Sequence, residues 1–134
     1  MKIFRFATAS AVVLFAILPV QAQNVNSSPF GAAVFERWIE GSRLAEQGDF
    51  NSAQIQYQRA LNAAQQLSNP VLRDCAITSS QANIAAMEAA RAYIRSYGSS
   101  SSAIAQAQHI AEIQFRQTIE QSDQIRPDLA NRCP

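Results

Sequence analysis

The fold of this chain is decided by residues 41–61, GSRLAEQGDFNSAQIQYQRAL. The first part of this stretch continues a helical pattern that begins near Phe30, in which small or apolar residues recur every three or four positions. Gly48 and Asp49 interrupt that pattern, a second pattern of the same period follows, and Pro70 lies just beyond its end. The stretch therefore predicts two helices joined by a tight turn. We expect their inward positions to be Phe30, Val34, Trp38, Gly41, Ala45, Ala53, Tyr57, Ala60, Leu61, Ala64 and Leu67.

After Pro70 the sequence predicts a second and longer pair of helices, at residues 71–97 and 103–125. Gly98 and the serines at 99–102 form a flexible link between them. No alternating apolar and polar run bounded by turns occurs in the sequence, so no strand is predicted. The expected fold class is all-α, with about four helices arranged as one hairpin followed by a longer antiparallel hairpin. The second hairpin should bury Leu72, Cys75, Ala76, Ala82, Ala86, Ala90, Tyr93, Ile94 and Tyr97, then Ile104, Ala107, Ala111, Phe115 and Thr118 or Ile119.

The first 22 residues have the order of a secretory signal peptide. Lys2 and Arg5 precede an apolar run at residues 6–20, and Val20-Gln21-Ala22 places small residues at the two positions that a signal peptidase recognises. The alternative is a retained membrane anchor, although the run is shorter than the roughly 20 residues that span a bilayer. Residues 23–29 then form a flexible N-terminus and residues 30–134 a single helical domain. The short, alanine-rich leader resembles bacterial ones, so the expected location is the periplasm or the cell exterior.

The charge balance gives no reason to expect nucleic acid or anionic lipid as a partner. The chain has 11 basic and 10 acidic residues, and cleavage of the leader would remove Lys2 and Arg5. A nearly neutral surface does not attract a polyanion. We therefore predict no nucleic-acid partner, and no membrane span after cleavage of the leader.

Cys75 and Cys133 are the only cysteines. In an oxidising compartment an isolated pair of cysteines tends to form a disulfide. Cys75 lies near the start of the third predicted helix, and the fourth runs back antiparallel, so the tail with Cys133 should reach the same end of the hairpin. A disulfide there would stabilise the fold by roughly 4 kcal/mol at most. The alternatives are two free thiols or an intermolecular link.

Residues 34–67 resemble one tetratricopeptide repeat (TPR), a helix-turn-helix unit of about 34 residues. The match is carried by Gly41, Leu44, Gly48, Asp49, Phe50, Ala53, Tyr57, Ala60 and Leu61. The resemblance implies a protein-binding scaffold whose first helix faces a concave groove. The groove positions correspond to Phe35, Trp38, Ser42, Ala45 and Glu46, with the two aromatic residues as anchors.

Two questions stay open beside this resemblance. Trp38, the only tryptophan, either contacts a ligand or is a core residue packed against the third helix. The predicted helices at 71–97 and 103–125 form either a second, degenerate repeat or a plain helical hairpin stacked on the first.

No residue pattern predicts an enzyme. His109 and Glu112 lie on one helical face, but a carboxylate-bridged metal site needs further ligands from a facing helix. The serines at 99–102 lack the Gly-x-Ser-x-Gly or Ser-x-x-Lys context of a nucleophile. We therefore predict no catalytic residue, no metal and no cofactor.

The function predicted from the sequence is that of an exported, TPR-like interaction module whose partner is an unknown protein or peptide. The alternative is a structural or assembly protein of the cell envelope that associates with itself through unpaired repeat faces. A third hypothesis is a metal-dependent helical enzyme based on His109 and Glu112.

Overall fold

The structure is a computed structural model that describes residues 28–134. The predicted signal peptide at 1–22 and most of the predicted flexible segment at 23–29 lie outside these residues. The described chain is all-α, as the sequence predicts. Its helices are α1 (Ala32–Glu46), α2 (Phe50–Ala64), α3 (Pro70–Tyr97), α4 (Ser101–Ile125) and the short α5 (Pro127–Ala130).

Side-chain caps fix where three of the long helices begin. An oxygen of each capping side chain accepts a hydrogen bond from a backbone N–H of the first turn, which otherwise has no partner within the helix. The bonds run from Ser52 to Asp49 at 3.0 Å, from Val71 to Asn69 at 3.0 Å, and from Ala103 to Ser100 at 3.2 Å. Since Ser100 caps α4, the last two serines of the predicted link belong to a helix instead.

The turn between α1 and α2 requires glycine at position 48 for two reasons. Gly48 has a φ of 82°, which side-chain-bearing residues rarely adopt. A Cβ atom there would also lie 2.9 Å from the side chain of Ile104 on α4. The backbone of Gly48 is therefore in the left-handed region, and the side chain of Ile104 on α4 covers the turn closely.

The four long helices pack in chain order, α1 on α2, α2 on α3 and α3 on α4. α3 also contacts α1 and α5, so it is the central element. Most of its buried residues are small, which lets its neighbours come close. The larger core side chains include Val34, Tyr57, Met87 and Phe115. The predicted inward stripes match this burial, with one error at the end of α3. Tyr97 is 69% exposed because it is the last residue of α3, and the chain turns away at Gly98 before another helix covers it.

The C-terminal tail is fixed to the beginning of α3. The sulfur atoms of Cys75 and Cys133 are 2.08 Å apart, at disulfide distance, and their Cα atoms are 5.7 Å apart. Both cysteines are buried, as is Leu129 of α5. The cysteine pair therefore joins the two ends of the α3–α4 hairpin, as predicted, and the short helix α5 is an element that the sequence did not indicate. Among residues 28–134, no helix has the length and apolar character needed to cross a bilayer.

We expect reduction of the cysteine pair to destabilise the chain substantially. The bond closes a loop with a sequence separation of 58, so its loss should lower the free energy of unfolding by up to about 4 kcal/mol. Urea unfolding with and without a reductant measures the difference. The Cys75→Ala/Cys133→Ala variant is the control and should not respond to reductant. The prediction would be contradicted if the oxidised wild-type protein, shown to contain no free thiol, unfolded at the same urea concentration before and after reduction.

Candidate functional site

The inward face of α1 is built around Trp38, which is 2% exposed. Its indole Nε1 donates a hydrogen bond to Ser80 Oγ on α3 at 3.0 Å, and the ring of Phe30 packs edge-on at a centroid distance of 5.1 Å. An indole N–H that leaves water must find an acceptor. Ser80 supplies it, so the contact fixes the rotation of α1 relative to α3.

Ser42 connects Trp38 to α2. Its hydroxyl donates to the carbonyl oxygen of Trp38 at 2.8 Å and lies 3.1 Å from the hydroxyl of Tyr57. Burial raises the pKa of the Tyr57 hydroxyl well above its ordinary value, while the hydrogen bond to Ser42 lowers it by less. Tyr57 therefore stays protonated, and its O–H is available to this hydrogen-bonded group.

Three of the five predicted groove residues lie in the core and not on an open surface. Trp38, Ser42 and Ala45 are buried, whereas Phe35 and Glu46 are partly exposed. The burial agrees with the alternative interpretation of Trp38 as a core residue, and the placement of Ser42 and Ala45 in a groove is corrected in the same way. The physical reason is that other helices of the same chain occupy this face.

α4 covers the C-terminal end of α1 through one side chain. Gln108 Nε2 donates to the carbonyl oxygens of Ala45 at 3.0 Å and of Glu46 at 2.9 Å. The last carbonyls of a helix have no partner within it, so this amide caps the end of α1. The sequence analysis did not predict the contacts of Ser80 and Gln108, because isolated polar residues carry no periodic signal.

The residues on which the TPR resemblance rests lie largely where α1 and α2 touch. A Cβ atom at Gly41 would be 2.8 Å from Cε1 and Cζ of Tyr57, so only glycine allows this approach. Phe50, Ala53, Tyr57 and Ala60 are buried, Leu44 and Leu61 are partly buried, and Asp49 caps α2. The sequence match therefore corresponds to a set of packing contacts.

The side chains of the metal-site hypothesis do not form a metal-binding group. His109 is exposed, and Glu112 forms an ion pair with Arg116 on the next turn of α4. Within residues 28–134, no cluster of three or more His, Cys, Asp or Glu side chains is placed to hold a metal ion. The carboxylate of Glu112 is therefore paired with a cation of its own helix, and no contact joins it to His109.

The chain matches no protein-family model, and it matches neither a curated protein nor a solved structure. The assignment of the all-α fold and of the cysteine pair therefore rests on the structure alone. Membership in the TPR family stays a prediction from residues 34–67.

Replacement of Trp38 should cost folding stability. Trp38→Ala removes a buried aromatic side chain and should lower the free energy of unfolding by about 3–5 kcal/mol. Ser80→Ala leaves the indole N–H without its acceptor and should cost about 1–3 kcal/mol. Urea unfolding measures both, with Ser96→Ala, at an exposed position of α3, as a control that stays within about 0.5 kcal/mol. A Trp38→Ala variant as stable as wild type would contradict the core assignment.

The contact between Gly41 and Tyr57 should show as coupled stability changes. Gly41→Ala places a methyl group against the Tyr57 ring and should destabilise the chain by about 1–3 kcal/mol. In a Tyr57→Leu background the same change should cost less, because the smaller side chain leaves room for the methyl group. A double-mutant cycle from thermal unfolding measures this coupling. Strictly additive effects would show that the two residues do not contact each other.

Proposed function

We propose that this chain is an exported, TPR-like helical module that binds a protein or peptide. The observation that carries the proposal is the close packing of Gly41 against Tyr57, at the position where the resemblance places the contact between the two helices of a repeat. A rigid helical hairpin of this kind presents side chains from its first helix at fixed spacing. This property suits recognition of another chain more than chemistry on a small substrate.

The binding surface that we propose is one edge of α1, formed by Phe35, Ile39 and Glu46. These residues lie at spacings of four and seven, so they share a side of the helix, and each is partly exposed. The edge combines an aromatic side chain, an aliphatic side chain and a carboxylate. A partner would therefore need an apolar segment with a basic group beside it.

Export is supported by the order of residues 1–22 and by the cysteine pair. Disulfides persist in oxidising compartments such as the periplasm or the cell exterior, and reducing compartments open them. Cys75 and Cys133 lie at the distance such a bond requires. Export to the periplasm or out of the cell is the location that fits both features.

A second candidate function is self-association in an envelope structure. Ile113 is 42% exposed and Ile125 is 77% exposed, both on α4, the last long helix. Apolar groups on a terminal helix are the feature by which a short helical stack could extend. The concentration dependence of the mass in solution separates this candidate from the first: a strictly monomeric mass would exclude it.

A photo-crosslinking residue at Ile39 tests the interaction proposal. The site lies between Phe35 and Glu46, and a photochemical probe is needed because Lys2 is the only lysine available to amine reagents. We expect a specific adduct with a partner from the native exported fraction. Mass spectrometry of the adduct identifies the captured chain.

Charge reversal supplies the matched controls for this experiment. Glu46→Arg should weaken capture because it reverses the charge at the edge, whereas Glu36→Arg, on the exposed side of the same helix, should leave capture unchanged. A probe at Gln117 on α4 should give no partner adduct. Adducts only with a second copy of this chain would favour self-association instead.

A further inference from the structure

A cavity of about 380 Å³ lies between the beginning of α2 and the last turns of α3. Phe50 and Asn51 line it from α2, and Arg91, Ile94 and Arg95 line it from α3. Its volume is in the range of small-molecule sites, which combine apolar walls with a few polar groups. Gly48 and Asp49 also line it, shortly after the end of α1, but none of the three residues of the α1 edge does.

The cavity has two guanidinium groups that form no ion pair within residues 28–134. Arg91 and Arg95 are four residues apart on α3, a spacing that places like charges side by side and costs stability. Neither forms an ion pair with an acidic side chain of residues 28–134. Among the lining residues only Asp49 is acidic, and its carboxylate accepts the backbone N–H of Ser52 at 3.0 Å. A hydrogen bond from a neutral N–H does not remove the charge of Asp49, so the lining carries two positive charges and one negative charge, and the positive charge is in excess.

A neutral side chain holds Arg91 in place. Its NH1 donates to Gln54 Oε1 at 2.7 Å, and the amide of Gln54 in turn donates to Glu88 Oε1 at 3.4 Å. An acidic residue at position 54 would have cancelled the charge of Arg91. The glutamine orients the guanidinium and leaves its charge available.

We propose that this cavity binds the carboxylate of a small organic ligand with an apolar body. A planar guanidinium donates two parallel hydrogen bonds to a carboxylate, which a point charge cannot do. Phe50, which is buried, and Ile94, which is partly buried, provide an apolar wall beside the two arginines. The proposal goes beyond the interaction module, because it assigns a small-molecule site whose lining includes none of the α1-edge residues.

Titration of the intact chain with hexanoate, followed by NMR, tests the proposal. We expect saturable shifts of the backbone amides at Gly48–Asn51 and of the Ile94 methyl groups. Hexanamide, which keeps the apolar body without the charge, should produce no saturable shift. Sulfate, which keeps the charge without the body, should bind more weakly than hexanoate. Equal binding of hexanoate and hexanamide, or no saturable shift with hexanoate, would overturn the proposal.

Variants of the two arginines identify the groups that bind. Arg91→Gln and Arg95→Gln should each weaken hexanoate binding about ten-fold, as expected for the loss of a hydrogen bond to a charged group. Arg59→Gln is the control, since Arg59 is an exposed arginine of α2 outside the cavity. Hexanoate binding that is unchanged in the Arg91→Gln/Arg95→Gln double variant would overturn the proposal.

Gln54→Glu provides a test that removes no guanidinium group. The new carboxylate would lie beside NH1 of Arg91 and neutralise it, so hexanoate binding should be lost while the helical circular dichroism is kept. Retained binding in this variant would contradict the role of Arg91. Capture at Ile39 does not depend on these residues, so failure of either proposal leaves the other standing.

Discussion

The packing of Tyr57 against Gly41 is the contact on which the rest of the structure depends. The ring occupies the space that any side chain at position 41 would need, and its hydroxyl lies 3.1 Å from Ser42 Oγ. This approach sets the separation of α1 and α2, and with it the face that the pair presents to α3. Trp38 can then reach Ser80 on α3. The absence of a side chain at Gly41 therefore determines how α1, α2 and α3 pack together.

The core of α3 is more polar than its position suggests. Ser79, Ser80 and Asn83 are fully buried, and Asn83 Nδ2 donates to the carbonyl oxygen of Ser79 at 3.1 Å. Ser79 Oγ and Asn83 Oδ1 have no hydrogen-bond partner among the described residues. Buried polar groups without partners reduce stability, and hydrogen-bonded ones specify geometry. α3 contains both kinds of buried polar group. Ser80 orients Trp38 through a hydrogen bond, whereas the unpaired oxygens of Ser79 and Asn83 lower the free energy of unfolding.

The sequence predicts the helices well because the burial of each helix repeats with the helical period, as at Val34, Trp38 and Ala45. The same pattern does not distinguish a face covered by another helix of the chain from a face that binds a partner. The inward stripe therefore places Trp38 and Ala45 inside the fold, whereas the TPR resemblance implies that they line a groove. The contacts of Gln108 and the convergence of Arg91 and Arg95 on one cavity depend on which helices become neighbours. Single polar residues do not encode that information locally.

The cap that Gln108 places on α1 has a consequence for the order in which the chain becomes structured. Its two hydrogen bonds join residues separated by 62 and 63 positions, compared with 42 positions between Trp38 and Ser80. Contacts of such range form only after a large loss of chain entropy, and the N-terminal part of a chain is synthesised first. The end of α1 therefore lacks these two hydrogen bonds until residue 108 is available. The carbonyl oxygens of Arg43, Leu44 and Ala45 already accept from backbone N–H groups of the turn, so the first hairpin can form its turn before it receives its last cap.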